Sequence, residues 1–153
     1  MVKLIKTRLK ESRERLGLTQ KQIANIFDIH ESTVSGWETG KDSIPLKKLI
    51  AYCYLFHYSL DYILKLSESN DWTFSTKKIN SKIVGENLKK LRQKNGHSQE
   101  DVANFVKISQ SCYSNYEQGK ELINTFCIYT IARTYNVSVD ELIGRKKKIG
   151  VLQ

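Results

Sequence analysis

The chain has 153 residues, and its 25 Lys and Arg outnumber its 16 Asp and Glu, which gives a formal net charge of +9. No apolar run approaches the roughly 18 residues of a membrane-spanning helix, and no apolar stretch follows the basic residues near Met1, so we expect neither a membrane span nor a signal peptide. The three cysteines form no CxxC pair and have no histidines at metal-ligand spacing. Free thiols of this kind are typical of a reducing cytoplasm, and we predict a cytoplasmic protein without a metal or a cofactor.

The first half of the chain predicts five short helices, because its apolar residues recur at intervals of three and four. The first helix is expected over residues 3–16 and ends at Gly17. The second follows Thr19, whose hydroxyl can cap it in a capping box. The other three helices are expected to begin near Glu31, Pro45 and Ser59.

The second half of the chain repeats the first. Residues 9–64, shifted forward by 79 positions, align without a gap with residues 88–143. Identical pairs include Arg13 and Arg92, Gln20 and Gln99, Ala24 and Ala103, Glu38 and Glu117, Gly40 and Gly119, and Lys41 and Lys120. An ungapped register means that every helix and turn keeps its length, so one small domain occurs twice.

Composition divides the chain into four parts. We predict one domain over residues 1–66 and the second over residues 82–144. Residues 67–81 are rich in serine and asparagine and are predicted to be a linker. Residues 145–153 are predicted to be a basic tail, which is either solvated or a phosphate-contacting arm, with Arg145, Lys146, Lys147 and Lys148.

Both halves carry the same excess of positive charge. Residues 1–66 and residues 83–153 each hold 11 basic and 7 acidic side chains. An even positive field on two small modules suits a polyanion such as nucleic acid, although many basic proteins bind none.

A functional pattern lies in TQKQIANIFDIHESTVSGWETGK and again in SQEDVANFVKISQSCYSNYEQGK. The small side chain of Ala24 lets two helices cross closely, and Ile29 fills the turn between them. Val34 and Trp37 lie on the inner face of the third helix and anchor it to the core. Together these features are the geometry of a helix-turn-helix. The opposite face of that helix is then free to enter a DNA groove, and it bears Glu31, Ser32, Ser35 and Gly36.

This pattern resembles the Xre family of bacterial and phage regulators, which share the lambda-repressor-like DNA-binding domain. The first copy matches the family at Thr19 and Gln20 and in the WETGK segment that ends at Lys41, and the second copy matches it in the same register. The resemblance implies an all-α protein of two tandem five-helix lambda-repressor-like helix-turn-helix domains joined by a polar linker. It also implies a transcriptional regulator that binds double-stranded DNA sequence-specifically, as a repressor that occupies a promoter.

The resemblance further implies which residues contact DNA. Gln20 and Gln99, at the start of the second helix of each copy, and Lys41 and Lys120, just past the third, would contact the phosphate backbone. The residues expected to read bases in the first copy are His30, Glu31, Ser32 and Ser35. Those in the second copy are Gln110, Ser111, Ser114 and Asn115.

The two copies differ in their base-reading chemistry. The amides of Gln110 and Asn115 can each form a two-pronged hydrogen bond with adenine, whereas Glu31 can accept from cytosine but is repelled by phosphates. Gly36 offers no side chain. We therefore expect unlike half-sites. The alternative is a protein-interaction module, an antitoxin or an antagonist of another regulator, in which one or both domains bind a protein partner. One of the two domains could also form a homodimer.

Two further pairs, Arg13 with Glu38 and Arg92 with Glu117, recur at one constant separation. They favour a partly buried salt bridge within each domain, which is how this pair behaves in the Xre family. No set of serine, cysteine, aspartate or glutamate suggests catalysis, so we do not expect an enzyme.

Overall fold

The computed structural model describes residues 5–72 and 78–145. The chain divides into two compact units, unit 1 (Met1–Asp71) and unit 2 (Trp72–Gln153). All regular secondary structure in the described residues is α-helical, which confirms the predicted fold class. None of the helices in this part of the chain has the length and apolar character needed to cross a membrane.

Each unit contains five helices within its described residues. Those of unit 1 are α1 (Leu9–Arg15), α2 (Gln20–Phe27), α3 (Glu31–Thr39), α4 (Leu46–Phe56) and α5 (Leu60–Ile63). Those of unit 2 are α6 (Ser81–Lys94), α7 (Gln99–Val106), α8 (Gln110–Glu117), α9 (Thr125–Tyr135) and α10 (Val139–Leu142).

Helix α1 begins later than the sequence predicts. Residues 5–8 are not helical, and the first two residues of the predicted range lie outside the described part of the chain. Arg8 holds this segment against the end of its unit, because its backbone N–H donates to the Ile63 carbonyl and its guanidinium donates to the Ser67 carbonyl, at 2.7 and 2.9 Å. These long-range bonds give the backbone groups partners that a helix would otherwise supply. The prediction of a helix over this segment is therefore wrong.

The segment between the repeats is shorter than the predicted linker. At its start, the Asn70 side chain accepts from the Ser59 N–H and donates to the His57 carbonyl, at 2.8 and 3.0 Å, so it packs on unit 1. At its end, α6 begins at Ser81, because the Asn80 side chain accepts from the first N–H groups of that helix. Residues 73–77 lie outside the described residues.

The turn between the two central helices of each unit is formed in the same way. Asp28 and Lys107 adopt left-handed backbone conformations, with φ of 53° and 59°. The next residue then donates its N–H back to the preceding helix, from Ile29 to the Ala24 carbonyl in unit 1, at 3.0 Å. The capping box predicted at Thr19 is present, with both of its hydrogen bonds to Gln22. The predicted helix-turn-helix is thus formed in full.

The sequence predicts that Arg145 is part of a basic tail, but in the structure this residue is buried in unit 2. Its side chain is only 3% exposed, and its guanidinium lies 3.4 Å from the buried carboxylate of Asp140. Its backbone N–H also donates to the Asp140 carbonyl, at 2.8 Å. Arg145 therefore completes the fold of unit 2. The remainder of the predicted basic tail, Lys146, Lys147 and Lys148 included, lies outside the described residues.

Candidate nucleic-acid interface

Two buried side chains on the inner face of α3 hold this helix against the core of unit 1. Val34 and Trp37 are buried at 2% and 9% exposure and face the core of unit 1. On the other side Glu31 and Ser32 are exposed and Ser35 is half-buried. Together with the exposed N-cap residue of this helix, these polar side chains define the reading face of unit 1, which consists of His30, Glu31, Ser32 and Ser35.

Helix α8 presents a corresponding surface in unit 2. Tyr113 and Tyr116 take the inner positions and are buried at 1% and 6% exposure. Their large rings fill the space that Val34 and Trp37 fill in unit 1. The reading face of unit 2 consists of two exposed residues, Gln110 and Ser111, and two half-buried residues, Ser114 and Asn115. Ser114 already accepts a hydrogen bond from the Gln118 amide at 2.7 Å.

The two lysines predicted to contact phosphates, Lys41 and Lys120, are both exposed. They follow the ends of α3 and α8 in sequence, so their side chains can be reached by DNA that approaches either reading face. Their backbone surroundings differ, however. The Lys41 N–H donates to the Thr39 hydroxyl, at 3.4 Å, whereas the Lys120 N–H donates to the Asn115 carbonyl, at 3.0 Å.

A buried polar cluster behind each reading face ties three helices together. In unit 1 Arg13 donates to both carboxylate oxygens of Glu38, at 2.6 and 3.0 Å. Gln20 donates a third hydrogen bond to the same carboxylate at 3.0 Å, and Arg13 also donates to the Leu18 carbonyl at 2.8 Å. The structure thus brings the predicted salt-bridge pair together and links α1, α2 and α3.

Unit 2 repeats this cluster almost atom for atom. Arg92 donates to the Glu117 carboxylate at 2.6 and 3.0 Å and to the His97 carbonyl at 3.0 Å. Gln99 donates to the same carboxylate at 3.1 Å. The arginine side chains of both pairs are 12% exposed and the glutamates 4% and 3% exposed. Each pair is therefore shielded from water, and its loss is costly.

The two glutamines that are expected to contact phosphates, Gln20 and Gln99, also take part in the buried clusters. Gln20 and Gln99 each use one amide N–H to hold a glutamate of their own unit. A side-chain amide has two such hydrogens, so the second is left to donate to a phosphate oxygen. The glutamines thus have a structural role that the sequence comparison did not indicate, and their contact with DNA stays a prediction.

The pKa of Glu117 couples the cluster of unit 2 to pH. Burial alone raises that pKa, but hydrogen bonds from Arg92, Gln99 and Tyr113 and the charge of Arg92 together hold it below its ordinary value of 4.5. The charged form is thus favoured in the folded protein. Above pH 4.5 this contribution to stability is fully present. It is lost as the pH falls through the lowered pKa, because the unfolded chain takes up the proton first.

We therefore expect the free energy of unfolding of unit 2 to fall as the pH drops below about 4.5, with Glu117 contributing to the slope. Chemical unfolding at a series of pH values measures it. Glu117→Gln keeps a side chain that can accept from Arg92 but cannot titrate, so the variant should be less stable at neutral pH and show a flatter dependence in acid. An unchanged slope in this variant would contradict the assignment.

The sequence places Gly36 on the free face of α3, but in the structure this residue is not open to solvent. It is buried, and the Cβ of an added side chain would lie 3.3 Å from Cγ of Asp42 and closer still to Oδ2. The Asp42 backbone N–H also donates to the Gly36 carbonyl at 3.1 Å. Asp42, which is itself exposed, therefore belongs to this surface, although no sequence pattern indicated a role for it. The one sequence signal for this contact was the glycine within the reading helix, because a glycine at such a position usually has a packing reason.

Known proteins contain helix-turn-helix domains similar to those of this chain. A family described as helix-turn-helix matches residues 9–63, and one described as helix-turn-helix domain matches residues 85–147. The uncharacterized HTH-type transcriptional regulator YobD of Bacillus subtilis strain 168 is 32% identical over 87 residues, which cover 57% of this chain and 70% of YobD. The chain belongs to the Xre family of helix-turn-helix proteins, and it is a tandem member.

Other relatives of this Xre-family protein match a smaller share of their own length. The HTH-type transcriptional regulator ImmR of Bacillus subtilis strain 168 is 36% identical over 40% of this chain and 49% of ImmR. The antitoxin PezA of Streptococcus pneumoniae serotype 4 is 31% identical over 46% of this chain and 45% of PezA. The chain thus spans about half the length of these two relatives.

A solved structure is also similar to part of this Xre-family protein. The restriction-modification controller protein C.AhdI from Aeromonas hydrophila aligns with 40% of this chain and 94% of its own, with a TM-score of 0.38 and 26% identity.

Proposed function

We propose that this protein is a sequence-specific, double-stranded DNA-binding transcriptional regulator whose helices α3 and α8 each enter a major groove. One observation carries the proposal: both helices bury an apolar face and leave a polar face exposed. An α-helix presented in this way fits the major groove, where each base pair displays a distinct set of hydrogen-bonding groups.

The buried polar clusters support this function by positioning the helices. Each cluster joins the helix that precedes the turn to the helix that carries the reading face, through Gln20 and Glu38 in unit 1 and Gln99 and Glu117 in unit 2. Reading a base edge requires a side chain held close to its productive geometry. Buried charge-assisted hydrogen bonds provide that rigidity, because a displaced glutamate would remain unpaired inside the protein.

Backbone contacts would come from the exposed lysines, Lys41 and Lys120, and from the second amide hydrogens of Gln20 and Gln99. Such contacts set the register of the protein on the duplex but carry no sequence information. Base contacts would come from the two reading faces. We further propose that the protein acts in the cytoplasm as a repressor, by occupying a promoter, and has no catalytic activity.

Selection of bound duplexes from a random pool tests this proposal with the full chain. We expect a recurring sequence to be enriched. The affinity for that duplex should fall log-linearly as salt rises, through the release of counterions from the phosphates. If the purified protein shows no preference among duplexes at moderate salt, the proposal fails.

The likeness to a protein named an antitoxin supports a second candidate, in which one unit binds a protein partner or a second copy of the chain. The two candidates differ in what substitutions on each reading face should do. If both units read DNA, changes on either face alter the selected sequence. If one unit binds a protein instead, changes on its face leave the selected sequence unaltered, and the second candidate is then preferred for that unit.

A further inference from the structure

The reading helices of the two units end differently, although the repeat aligns them without a gap. In unit 2 the Asn115 carbonyl accepts from the N–H of Lys120, at 3.0 Å. Gly36 occupies the corresponding position in unit 1, and its carbonyl accepts from the N–H of Asp42, at 3.1 Å. Asp42 aligns with Glu121 in the sequence repeat, so the backbone contact has moved by one residue.

A threonine explains this difference. In unit 1 the Thr39 hydroxyl donates to the Gly36 carbonyl at 3.3 Å and accepts from the Lys41 N–H at 3.4 Å. The chain therefore advances one more residue before its backbone bonds to Gly36. The aligned residue in unit 2 is Gln118, whose longer side chain reaches back to Ser114 instead.

The consequence is that a carboxylate lies on the outward side of α3. Gly36 follows Val34 by two residues, which is roughly 200° around an α-helix, so it faces away from the core that Val34 enters. The space above Gly36 is filled by the side chain of Asp42. The aligned residue in unit 2, Asn115, is half-buried and carries its own amide.

We propose that Asp42 determines the specificity of unit 1, and that its carboxylate accepts a hydrogen bond from the amino group of a cytosine in the major groove. This inference rests on the proposed DNA-binding function. An ionised carboxylate only accepts hydrogen bonds. The major-groove edge of cytosine offers an amino donor alone, whereas adenine places the acceptor N7 beside its amino group and guanine offers two acceptors.

Glu31, the carboxylate within the reading face of unit 1, has the same preference as Asp42. Glu31 is exposed at the first position of α3, whereas the aligned residue in unit 2 is Gln110. Unit 1 therefore presents two carboxylate acceptors, Glu31 and Asp42, and unit 2 presents amides that suit adenine. The preferred duplex has a half-site with cytosines for unit 1 and a half-site with adenines for unit 2.

Selection of duplexes from a random pool tests this with full-length chains. In Asp42→Asn the amide replaces the carboxylate, so the preference for cytosine over adenine at one position of the unit 1 half-site should fall about tenfold. Gly36→Ala should remove the same preference, because its methyl group displaces the flexible end of Asp42 rather than any backbone. Glu121→Gln is the matched control and should leave both half-sites unchanged.

The stability of each variant separates base reading from a structural role. Asp42→Asn and Gly36→Ala should alter the same base position while their Tm values stay close to that of the parent. An unchanged unit 1 half-site in Asp42→Asn overturns the inference, as does a parent protein whose selected sequence contains no unit 1 half-site. In both of these cases a selected unit 2 half-site still supports the proposed function, whereas a parent that selects no sequence overturns both.

Discussion

Replacing Arg13 with alanine lowers the free energy of unfolding of unit 1 by about 3–5 kcal/mol. The substitution removes two hydrogen bonds from the Glu38 carboxylate and leaves that charge inside the protein, with only Gln20 as a donor in the cluster described above. A unit of this size is marginally stable, so much of its stability is lost. Urea unfolding of a full chain that carries Trp72→Phe, so that Trp37 is its one tryptophan, measures the change by fluorescence.

The matched control is Arg15→Ala on the same helix. Arg15 pairs with Glu11 at 3.0 Å, but their side chains are 61% and 49% exposed. An ion pair in water contributes about 0–1 kcal/mol, and the hydrogen bond that Arg15 donates to the Tyr62 hydroxyl, at 3.1 Å, about 1 kcal/mol, so this variant should lose clearly less stability than Arg13→Ala. Equal losses in Arg13→Ala and Arg15→Ala would contradict the buried character of the Arg13 pair. If Arg13→Ala is destabilised as expected, loss of DNA binding in this variant reports unfolding of unit 1 rather than a missing DNA contact.

Replacing Gln110 with alanine weakens binding to the selected duplex by about 1–3 kcal/mol. Gln110 is the first residue of α8 and is exposed, so its amide is free to form a two-pronged hydrogen bond with adenine. Binding to random duplexes should hardly change, because these lack the matching base. Titration of selected and random duplexes at one salt concentration measures both affinities.

Lys120→Ala is the control for this variant. Lys120 is exposed just beyond the same helix, and a phosphate contact is independent of sequence. Its loss should weaken selected and random duplexes alike and reduce the salt dependence by about one counterion. If Gln110→Ala also weakens both duplexes equally, Gln110 contacts the backbone and the reading face of unit 2 is assigned wrongly.

Much of the fold could be predicted because its determinants are local and occur twice. The capping residue Thr19, the glycine after each first helix and the apolar residues at three-residue and four-residue spacing act within one helix or turn. The resemblance to the Xre family then implied the lambda-repressor-like fold into which these helices pack. The pairing of Arg13 with Glu38 was also predictable, since the second copy repeats it at the same separation.

The features that were missed depend on contacts between residues that are distant in sequence. The start of α1 is set by Arg8, which bonds to backbone carbonyls near the end of its unit. Arg145 is part of a basic run in the sequence, but in the structure it is buried in unit 2 beside the carboxylate of Asp140. No local pattern distinguishes such an arginine from a solvated one.

In the candidate site, too, the features set by local patterns could be predicted, and a feature set by a contact between separate residues could not. Helical spacing, which is a local property, places Glu31, Ser32 and Ser35 on the outward face, and the resemblance to the Xre family implied the other residues of the two reading faces. The position of Asp42 could not be predicted, because it depends on whether the Thr39 hydroxyl bonds to the chain that follows it. An ungapped alignment of the two copies conceals that difference.

The central claim is that α8 and α3 lie in the major groove and contact base edges there. Substitution of 7-deaza-adenine in the selected duplex tests it most directly, since this base lacks only the N7 acceptor of the major-groove edge. We expect the parent protein to lose affinity about fivefold or more at the adenine read by Gln110, and Gln110→Ala to show no further loss. Equal affinity of the parent for the two duplexes at every adenine of the unit 2 half-site would contradict the claim.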